Sequence, residues 1–305
     1  MASETTEMRT VRVGGVPEHF NAPFHLAKKA GKFEAQGIDF QWTDYPGGTG
    51  DMCKALSERE VDVAIMLTEG ALAHAMNADP KVKLVGVHVS SSAIWGIHAG
   101  ATSCEVDDIK ELKGKAKFAI SRYGSGSHLM SYVLAESLGW DTKEGMEFQV
   151  VGGLKGAIEE LPKDGNLVFM WEKFTTLPWV VDGTFKRIGE FPTPWPFFVV
   201  VTHEDFLTSE TAAQDLKTVL DIVREQAESF KTGGDESLKY IKENYKIEPE
   251  AAAEWMASVT WALAPTVDVG MLKGVADTLH RLGKITTTSG EVPTEEDVSA
   301  ATKAL

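Results

Sequence analysis

The hydrophobic and polar positions in the first third of the chain follow a repeated order, in which a short apolar run leads through a turn into a helical pattern. The turns carry Gly, Pro or Thr where each apolar run ends. Strands that alternate with helices in this way predict a parallel, doubly wound sheet, and ligands of such sheets bind beyond the carboxyl ends of the strands. The strands are predicted at 10–16, 38–43 and 61–66, and the helices at 23–31, 52–56 and 71–76.

Two long extended runs divide the rest of the chain. Residues 84–99 exceed the length of one ordinary strand, and residues 197–202 follow a proline-rich stretch that stiffens the backbone. We interpret both runs as crossings between two lobes, which together make a two-strand hinge. Between them, a second series of strands and helices is predicted at 106–112, 116–120, from 125 onward, 147–151, 154–161, 167–171 and 175–181.

Beyond Ser209 the pattern is helical, and its apolar positions lie on one face. We expect these helices to pack on the first lobe. The fold class predicted is therefore α/β, with two doubly wound lobes: lobe I comprises 10–91 and 200–305, and lobe II comprises 92–199. After a first helix that ends at Gly233-Gly234, further helices are predicted at 236–245, 249–263, 268–282 and 294–304.

Composition and charge narrow the class of partner. The chain has 305 residues, 43% of them hydrophobic, and a net charge of −15, which repels nucleic acid phosphates and anionic lipid. Cys53 and Cys104 form neither a disulfide framework nor a zinc motif. No window approaches about 18 uninterrupted apolar residues, and residues 1–10 lack the pattern of an export signal. We therefore expect a cytoplasmic protein with no nucleic acid partner, no membrane span and no metal.

The most informative loop runs from Ile120 to Met130. A strand passes through a Gly/Ser turn into a helix that begins near Ser125, so the first free backbone N–H groups and the hydroxyls of Ser125 and Ser127 face whatever lies beyond the strand. Such a helix start can bind an oxyanion or a carbonyl oxygen. The alternative is a well-capped helix with no ligand.

Sequence motifs that would identify a catalysed reaction are missing. There is no phosphate-binding loop, no nucleophile elbow and no zinc-protease motif, and the glycines at 47–50 lack the dinucleotide-binding spacing. No catalytic residue and no cofactor are therefore predicted. Of the histidines, only His128, on the first turn of the helix from Ser125, is a candidate.

The loops at the strand ends predict a pocket instead. Tryptophans near strand ends can stack on a flat ligand, although each can equally be a core aromatic. Glu69 and Glu172 can accept hydrogen bonds from an amine or an amino-heteroaromatic ring, or can be solvated helix caps, while Arg122 and the turn at Ser125 take an acidic or carbonyl end. We therefore expect a small polar or heteroaromatic ligand. The candidate ligand-binding residues are Phe20, Asn21, Gly48, Thr49, Thr68, Glu69, Ser91, Ser92, Trp95, Arg122, Ser125, Ser127, His128, Trp171, Glu172 and Trp195.

Three stretches resemble a known family. The run DIKELKGK at 108–115 with GSGS at 124–127, the run AGKFEAQGI at 30–38 and the run VDVA at 61–64 resemble ABC-transporter substrate-binding proteins for nitrate, taurine and alkanesulfonates. The resemblance covers about residues 10–205. It implies the type II periplasmic-binding-protein fold, with a small polar, heteroaromatic or anionic ligand held between two lobes.

The same superfamily contains a fungal synthase of the thiamine pyrimidine precursor, with a pyridoxal-phosphate lysine, a histidine and a cysteine motif. On this chain the lysine position falls on Met66, the histidine on Gly70 and the cysteines on 194–198, which hold none. The chain therefore lacks the parts of that activity. It most closely resembles leaderless fungal members of this group whose function is not known.

Three functions remain open at this point. A binding protein without catalysis is the first, and because an export signal is lacking, a transporter partner is in doubt. The second is an enzyme of thiamine-precursor or related heterocycle metabolism, in which His128 and either Glu69 or Glu172 exchange protons with the substrate. The third is a transport component whose export leader lies outside this sequence. The oligomeric state is not predicted.

Overall fold

The computed structural model describes residues 8–262, 267–287 and 289–305. The strands are β1 (Arg9–Gly15), β2 (Ile38–Asp44), β3 (Val63–Leu67), β4 (Val82–Val89), β5 (Ile94–Gly100), β6 (Lys117–Ile120), β7 (Glu147–Val150), β8 (Leu167–Glu172), β9 (Phe185–Pro192) and β10 (Phe198–His203). The helices are α1 (Ala22–Lys29), α2 (Thr49–Ser57), α3 (Thr68–Asn77), α4 (Gly126–Ser137), α5 (Leu154–Glu160), α6 (Leu177–Val181), α7 (Glu210–Thr232), α8 (Gly234–Tyr245), α9 (Pro249–Ser258), α10 (Val269–Arg281) and α11 (Glu295–Ala300).

The first sheet has the strand order β2-β1-β3-β10-β4. β1 is parallel to β2 and β3, as the repeated strand–helix units predict, whereas β10 is antiparallel to both β3 and β4. Every residue of β3 and β10 is buried, as expected for central strands covered on both faces. α7 packs against α1 and β1, and α10 packs against α3, so helices from the end of the chain cover the first sheet. We call this part the first lobe.

The second sheet has the strand order β7-β6-β8-β5-β9 and, with α4, α5 and α6, makes the second lobe. β6 is parallel to β7 and β8, and β5 is antiparallel to β8 and β9. The chain passes between the lobes twice, through residues 90–93 and 193–197. The predicted α/β class, with two lobes joined by two connections, is confirmed. The predicted lobe boundaries stay a prediction.

Several elements differ from the sequence expectation. The extended run 84–99 is interrupted between β4 and β5, and β9, an edge strand, was not predicted. The predicted element at 106–112 is a short 3-10 turn whose N-cap, Asp108, accepts the Lys110 N–H at 2.9 Å and donates its own N–H to Glu111. The helix predicted at 249–263 ends at Ser258, and residue 263 lies outside the described residues. No helix within the described ranges is long and apolar enough to cross a membrane.

A candidate ligand-binding cleft between the two lobes

A cavity of about 40 Å³ lies between the lobes, and we call it the inner cavity. It lies where β1, β3, β6 and β8 end, which is the edge at which ligands bind in sheets of this kind. Because one water needs roughly 10–15 Å³ of such space, the inner cavity has room for about three heavy atoms. Its lining residues are Val16, Glu18, Gly47, Gly48, Thr49, Leu67, Trp95, Ser121, Ser125, Gly126, Ser127, Trp171, Glu172, Phe197 and Phe198.

Two helix starts form one side of the inner cavity, and we call residues 47–49 and 125–127 the donor wall. Ser125 caps α4 by accepting the His128 N–H at 3.3 Å, and the Ser127 hydroxyl accepts the Ser121 N–H at 3.1 Å. A Cβ atom on Gly126 would overlap Leu67 Cδ1, so a larger residue there requires the Leu67 side chain to move. The N–H groups of the first two residues of each helix, 49–50 and 126–127, have no partner within their helix, so this wall favours a carbonyl or anionic oxygen.

Two buried carboxyl groups also line the inner cavity, and we call Glu18 and Glu172 the acid wall. They are only 7% and 3% exposed. The Trp171 indole donates to Glu18 Oε1 at 3.2 Å, and the Thr175 N–H and hydroxyl donate to Glu172 Oε2 at 2.7 and 2.9 Å. In the described part of the chain, no lysine or arginine forms an ion pair with either carboxyl group.

The burial of the acid wall shifts its titration. Desolvation, with the nearby Glu172 charge as the second cause, raises the pKa of Glu18 to about 8, and desolvation raises the pKa of Glu172 to about 7. His19 Nε2 lies 3.9 Å from Glu172 Oε2 and has no hydrogen-bond partner, while burial lowers the pKa of His19 to about 3. His19 is therefore neutral at pH 7, and the two carboxyl groups hold protons that an ordinary surface glutamate would lose.

Glu69, Trp195 and Thr68 lie outside the lining of the inner cavity and contact one another through the hinge region. The Trp195 indole donates to Glu69 Oε2 at 2.9 Å, and the Thr68 hydroxyl donates to the carbonyl oxygen of Pro196 at 2.5 Å. Glu69 is fully buried, its Oε1 has no partner, and burial raises its pKa to about 7. These contacts tie the start of α3 to the connection that returns from the second lobe.

Four predicted site residues are held by the first lobe instead. Phe20 packs against Phe197, Phe198 and Trp255, and the Asn21 side chain donates to the carbonyl oxygen of Val16 at 2.9 Å. The Ser91 hydroxyl accepts the Thr260 N–H at 3.0 Å, and Ser92 is exposed. None of the four lines the inner cavity.

Arg122 and His128 also lie away from the lining. Arg122 Nη1 donates to the carbonyl oxygen of Gly47 at 2.8 Å and lies 3.3 Å from Asp51 Oδ1, so this side chain reaches from the second lobe to the first. His128 Nδ1 accepts the Gly124 N–H at 3.0 Å, its ring packs among aromatic side chains, and burial lowers its pKa to about 4. In this arrangement neither residue is placed to touch a ligand in the inner cavity.

The inner cavity thus brings together only part of the predicted set, and the binding role of every member stays a prediction. The predicted residues that line it are Gly48, Thr49, Trp95, Ser125, Ser127, Trp171 and Glu172. The sequence interpretation missed Glu18, although it follows the first predicted strand in a loop that had been singled out. The signal that could have found it is a charged residue directly at a strand end. Also missed were Val16, Gly47, Leu67, Ser121, Gly126, Phe197 and Phe198.

Further contacts join the lobes at the surface, around the cleft. Arg281 on α10 forms a two-pronged ion pair with Glu136 on α4, at 2.6 and 2.8 Å, and Lys173 lies 2.9 Å from Glu254 on α9. With Arg122 and Asp51, these pairs form what we call the rim. No group of three or more His, Cys, Asp or Glu side chains among the described residues is arranged to hold a metal ion.

Comparisons with known proteins agree with the two-lobed fold. Residues 95–191 match a family model described as Ca3427-like PBP. The CA3427 gene product of Candida albicans, described as defining a new family with the generic periplasmic binding protein fold, is 29% identical, with a TM-score of 0.86, over 97% of this chain and 96% of that chain. No curated protein sequence matches this chain.

More distant solved structures share the fold. The alkanesulfonate-binding protein SsuA from Xanthomonas axonopodis pv. citri, bound to MOPS, is 15% identical with a TM-score of 0.76, covering 98% of this chain and all (100%) of that chain. The periplasmic nitrate-binding protein NrtA from Synechocystis PCC 6803 is also 15% identical, with a TM-score of 0.72, covering 97% of this chain and 86% of that chain. The resemblance to type II periplasmic binding proteins that the sequence predicted is therefore confirmed, and this chain has the two-lobed fold of that family.

Proposed function

We propose that this protein binds a small molecule in the cleft between its lobes and does not transform it. The observation that carries the proposal is the inner cavity, which is lined by both lobes and combines two helix starts with two buried carboxyl groups. Similarity to proteins described as alkanesulfonate-binding and nitrate-binding supports a ligand-binding role.

The two connections, 90–93 and 193–197, suggest how binding is coupled to motion. The donor wall draws on both lobes, through residues 47–49 and 125–127, and the acid wall does so through Glu18 and Glu172. A ligand therefore makes its full set of contacts only when the lobes are together, and it shifts an open–closed equilibrium by that difference in affinity.

The alternative of an enzyme for a heterocyclic substrate has one observation in its favour. Two carboxyl groups with pKa values near neutrality line one cavity, as is typical of sites that transfer protons. His128, the other proton-transfer group expected from the sequence, is packed away from that cavity. We therefore propose binding, and turnover of a bound heterocycle that is lost in Glu172→Gln would contradict it.

Native mass spectrometry of the gently purified protein tests the proposal. We expect a mass above that of the denatured chain and a released small molecule, and small-angle scattering should show compaction when that molecule is added back to stripped protein. Ser125→Ala, in the donor wall, should lower occupancy, whereas Ser92→Ala, an exposed serine outside the lining, should not.

Thermal melting of both serine variants separates lost binding from lost folding, because removal of an N-cap costs about 1 kcal/mol. Two results together would overturn the proposal. The native mass would equal that of the denatured chain, and no molecule that raises the melting temperature would cause compaction. The cytoplasmic location stays a prediction that this experiment does not address.

A further inference from the structure

A second and larger cavity of about 480 Å³ adjoins the first, and we call it the outer cavity. It shares Val16, Glu18 and Trp171 with the inner cavity, so these residues form the partition between the two. The rest of its lining comes from both lobes and is largely apolar, with Pro46, Leu154, Pro178, Trp179 and Tyr245 among the contributors.

The two cavities differ in size, and this difference indicates which part of a ligand each can hold. Ligand sites in proteins occupy about 300–1,000 Å³, so the outer cavity has the volume of a site for a whole small molecule and the inner cavity does not. The inner cavity accommodates a head group of about three heavy atoms. A ligand that reaches the inner cavity therefore extends past the Glu18–Trp171 contact into the outer one.

The acid wall indicates which chemical groups the head group of the ligand carries. Glu18 and Glu172 are both more than nine-tenths buried, face the same cavity and have no lysine or arginine partner within the described residues. Beside them the fully buried His19 Nε2 has no hydrogen-bond partner and points toward Glu172 at 3.9 Å. Trp171 and Thr175 donate to one oxygen of each carboxyl group, so a cationic head group that supplies N–H donors to the remaining oxygens adds charge-assisted hydrogen bonds in a buried site.

From this arrangement we propose that the ligand of this cleft is an amphiphilic nitrogen compound. Its amine, amidine or ring amino head group binds Glu18 and Glu172 in the inner cavity, and its flat apolar body lies in the outer cavity against Trp171 and Trp179. The proposal rests on the proposed function and narrows it. Acceptor atoms on the same head group can meet the donor wall, whereas a simple anion such as a sulfonate offers no N–H donor to the acid wall.

Three probes of nearly equal shape test this proposal. Benzamidine offers only donors, benzamide offers one donor group and one acceptor, and benzoate offers only acceptors, each on a phenyl ring with a three-atom head. At pH 7, titration calorimetry should show benzamidine binding at least about tenfold more tightly than benzoate, with benzamide between them, because a buried charged hydrogen bond contributes roughly 1.5–3 kcal/mol.

Variants distinguish contacts to the head group of the ligand from contacts to its apolar body. Glu172→Gln and Glu18→Gln should each weaken benzamidine about tenfold or more. Glu147→Gln, which removes an exposed carboxylate from β7, is the matched control and should leave binding unchanged. Trp179→Ala should weaken benzamidine but not acetamidine, which has the same head and no ring.

The outcomes are distinguishable from failure of the proposed function. Benzoate binding as tightly as benzamidine would overturn the nitrogen-donor proposal and leave ligand binding in the cleft standing. No binding by any of the three probes would also overturn it, while the molecule released in native mass spectrometry tests the proposed function separately. If Trp179→Ala lowered the affinity for acetamidine and for benzamidine equally, the assignment of the ligand's apolar body to the outer cavity would be overturned.

Discussion

Ionisable groups at the centre of the cleft lack partners of opposite charge, whereas charged groups at its rim are paired across the lobes. Glu18 and Glu172 are buried beside a neutral histidine, but Arg281 and Glu136 meet at the surface with side chains 56% and 34% exposed. Exposed pairs contribute about 0–1 kcal/mol each, while an unpaired buried charge costs several times more. We therefore expect the rim pairs to change the free energy of lobe closure only slightly and, under the proposed function, the acid wall to discriminate between ligands.

The largest effect we expect is a loss of stability at alkaline pH that originates in the centre. A carboxyl group whose pKa is raised by folding contributes stability that is complete below about 4.5, its unfolded value, and is lost as the pH rises through the folded value. For Glu18, with a folded pKa of about 8, the loss continues above pH 6.5. Histidines with lowered folded pKa values, such as His19, oppose it there, because they are still about half protonated in the unfolded chain at pH 6.5. Relative to Glu18→Gln, in which the histidine contribution is unchanged, Glu18 should lower the free energy of unfolding by about 2 kcal/mol between pH 6.5 and 8.5.

Glu18→Gln tests the source of that loss. Chemical denaturation at the two pH values should show that the wild type loses about 2 kcal/mol more of its unfolding free energy than this variant does, and Glu147→Gln should behave as the wild type. The groups that face the pair, His19, Arg187 and Lys246, are not changed by either substitution. An equal decline in wild type and Glu18→Gln would contradict the buried-carboxyl explanation.

The second effect concerns the contact between the hinge connection and α3. Trp195→Phe removes the donor to Glu69 Oε2 and leaves a fully buried carboxyl group with both oxygens unpaired. We expect a loss of about 1–3 kcal/mol in the free energy of unfolding at neutral pH. In a Glu69→Leu background the same change should cost much less, and an undiminished cost there would show that lost packing alone is responsible.

A smaller effect is expected where Arg122 crosses between the lobes. A Cβ atom on Gly50 would lie within 2.5 Å of the Arg122 Cζ atom, so Gly50→Ala should displace the guanidinium from Gly47 and Asp51. Since alanine is favoured in a helix by about 0.5–1 kcal/mol, α2 itself should become more stable. Scattering should therefore show a larger radius of gyration without a lower melting temperature, and no further change when Arg122→Ala is already present.

The smallest effect is expected at the exposed part of the rim. Arg281→Ala and Glu136→Ala should each change the free energy of lobe closure by less than about 1 kcal/mol, and the double-mutant coupling should vanish at high salt. A coupling energy that persists in 1 M salt would contradict the description of this pair as an exposed contact at the rim.

The fold was predictable because its evidence is local. Each strand–turn–helix unit of the first sheet is contained within a few neighbouring residues, and the Ser125 helix start is visible as a run of Gly and Ser after a strand. The antiparallel placement of β10 and the edge strand β9 depend on pairing with distant strands, which no local pattern encodes.

The site was only partly predictable because side-chain direction depends on distant packing. Glu18 and Phe20 occupy the same loop, yet the 3-10 turn at His19–Asn21 leaves Glu18 at the cavity and places Phe20 against Trp255, more than two hundred residues later. Ser91 is likewise directed away from the cleft by Thr260. The sequence was enough to assign these residues to their loops. Which of their side chains point into the cavity depends on packing against the C-terminal part of the chain.

The position of β10 has a consequence for synthesis of the chain. The second sheet is formed by the contiguous strands β5 to β9, so all of its residues have been made once residue 192 has left the ribosome. The first sheet lacks the strand between β3 and β4 until residue 203. Until then β3 and β4 each have an unpaired edge, so the first sheet is completed later than the second although its strands begin to be made first.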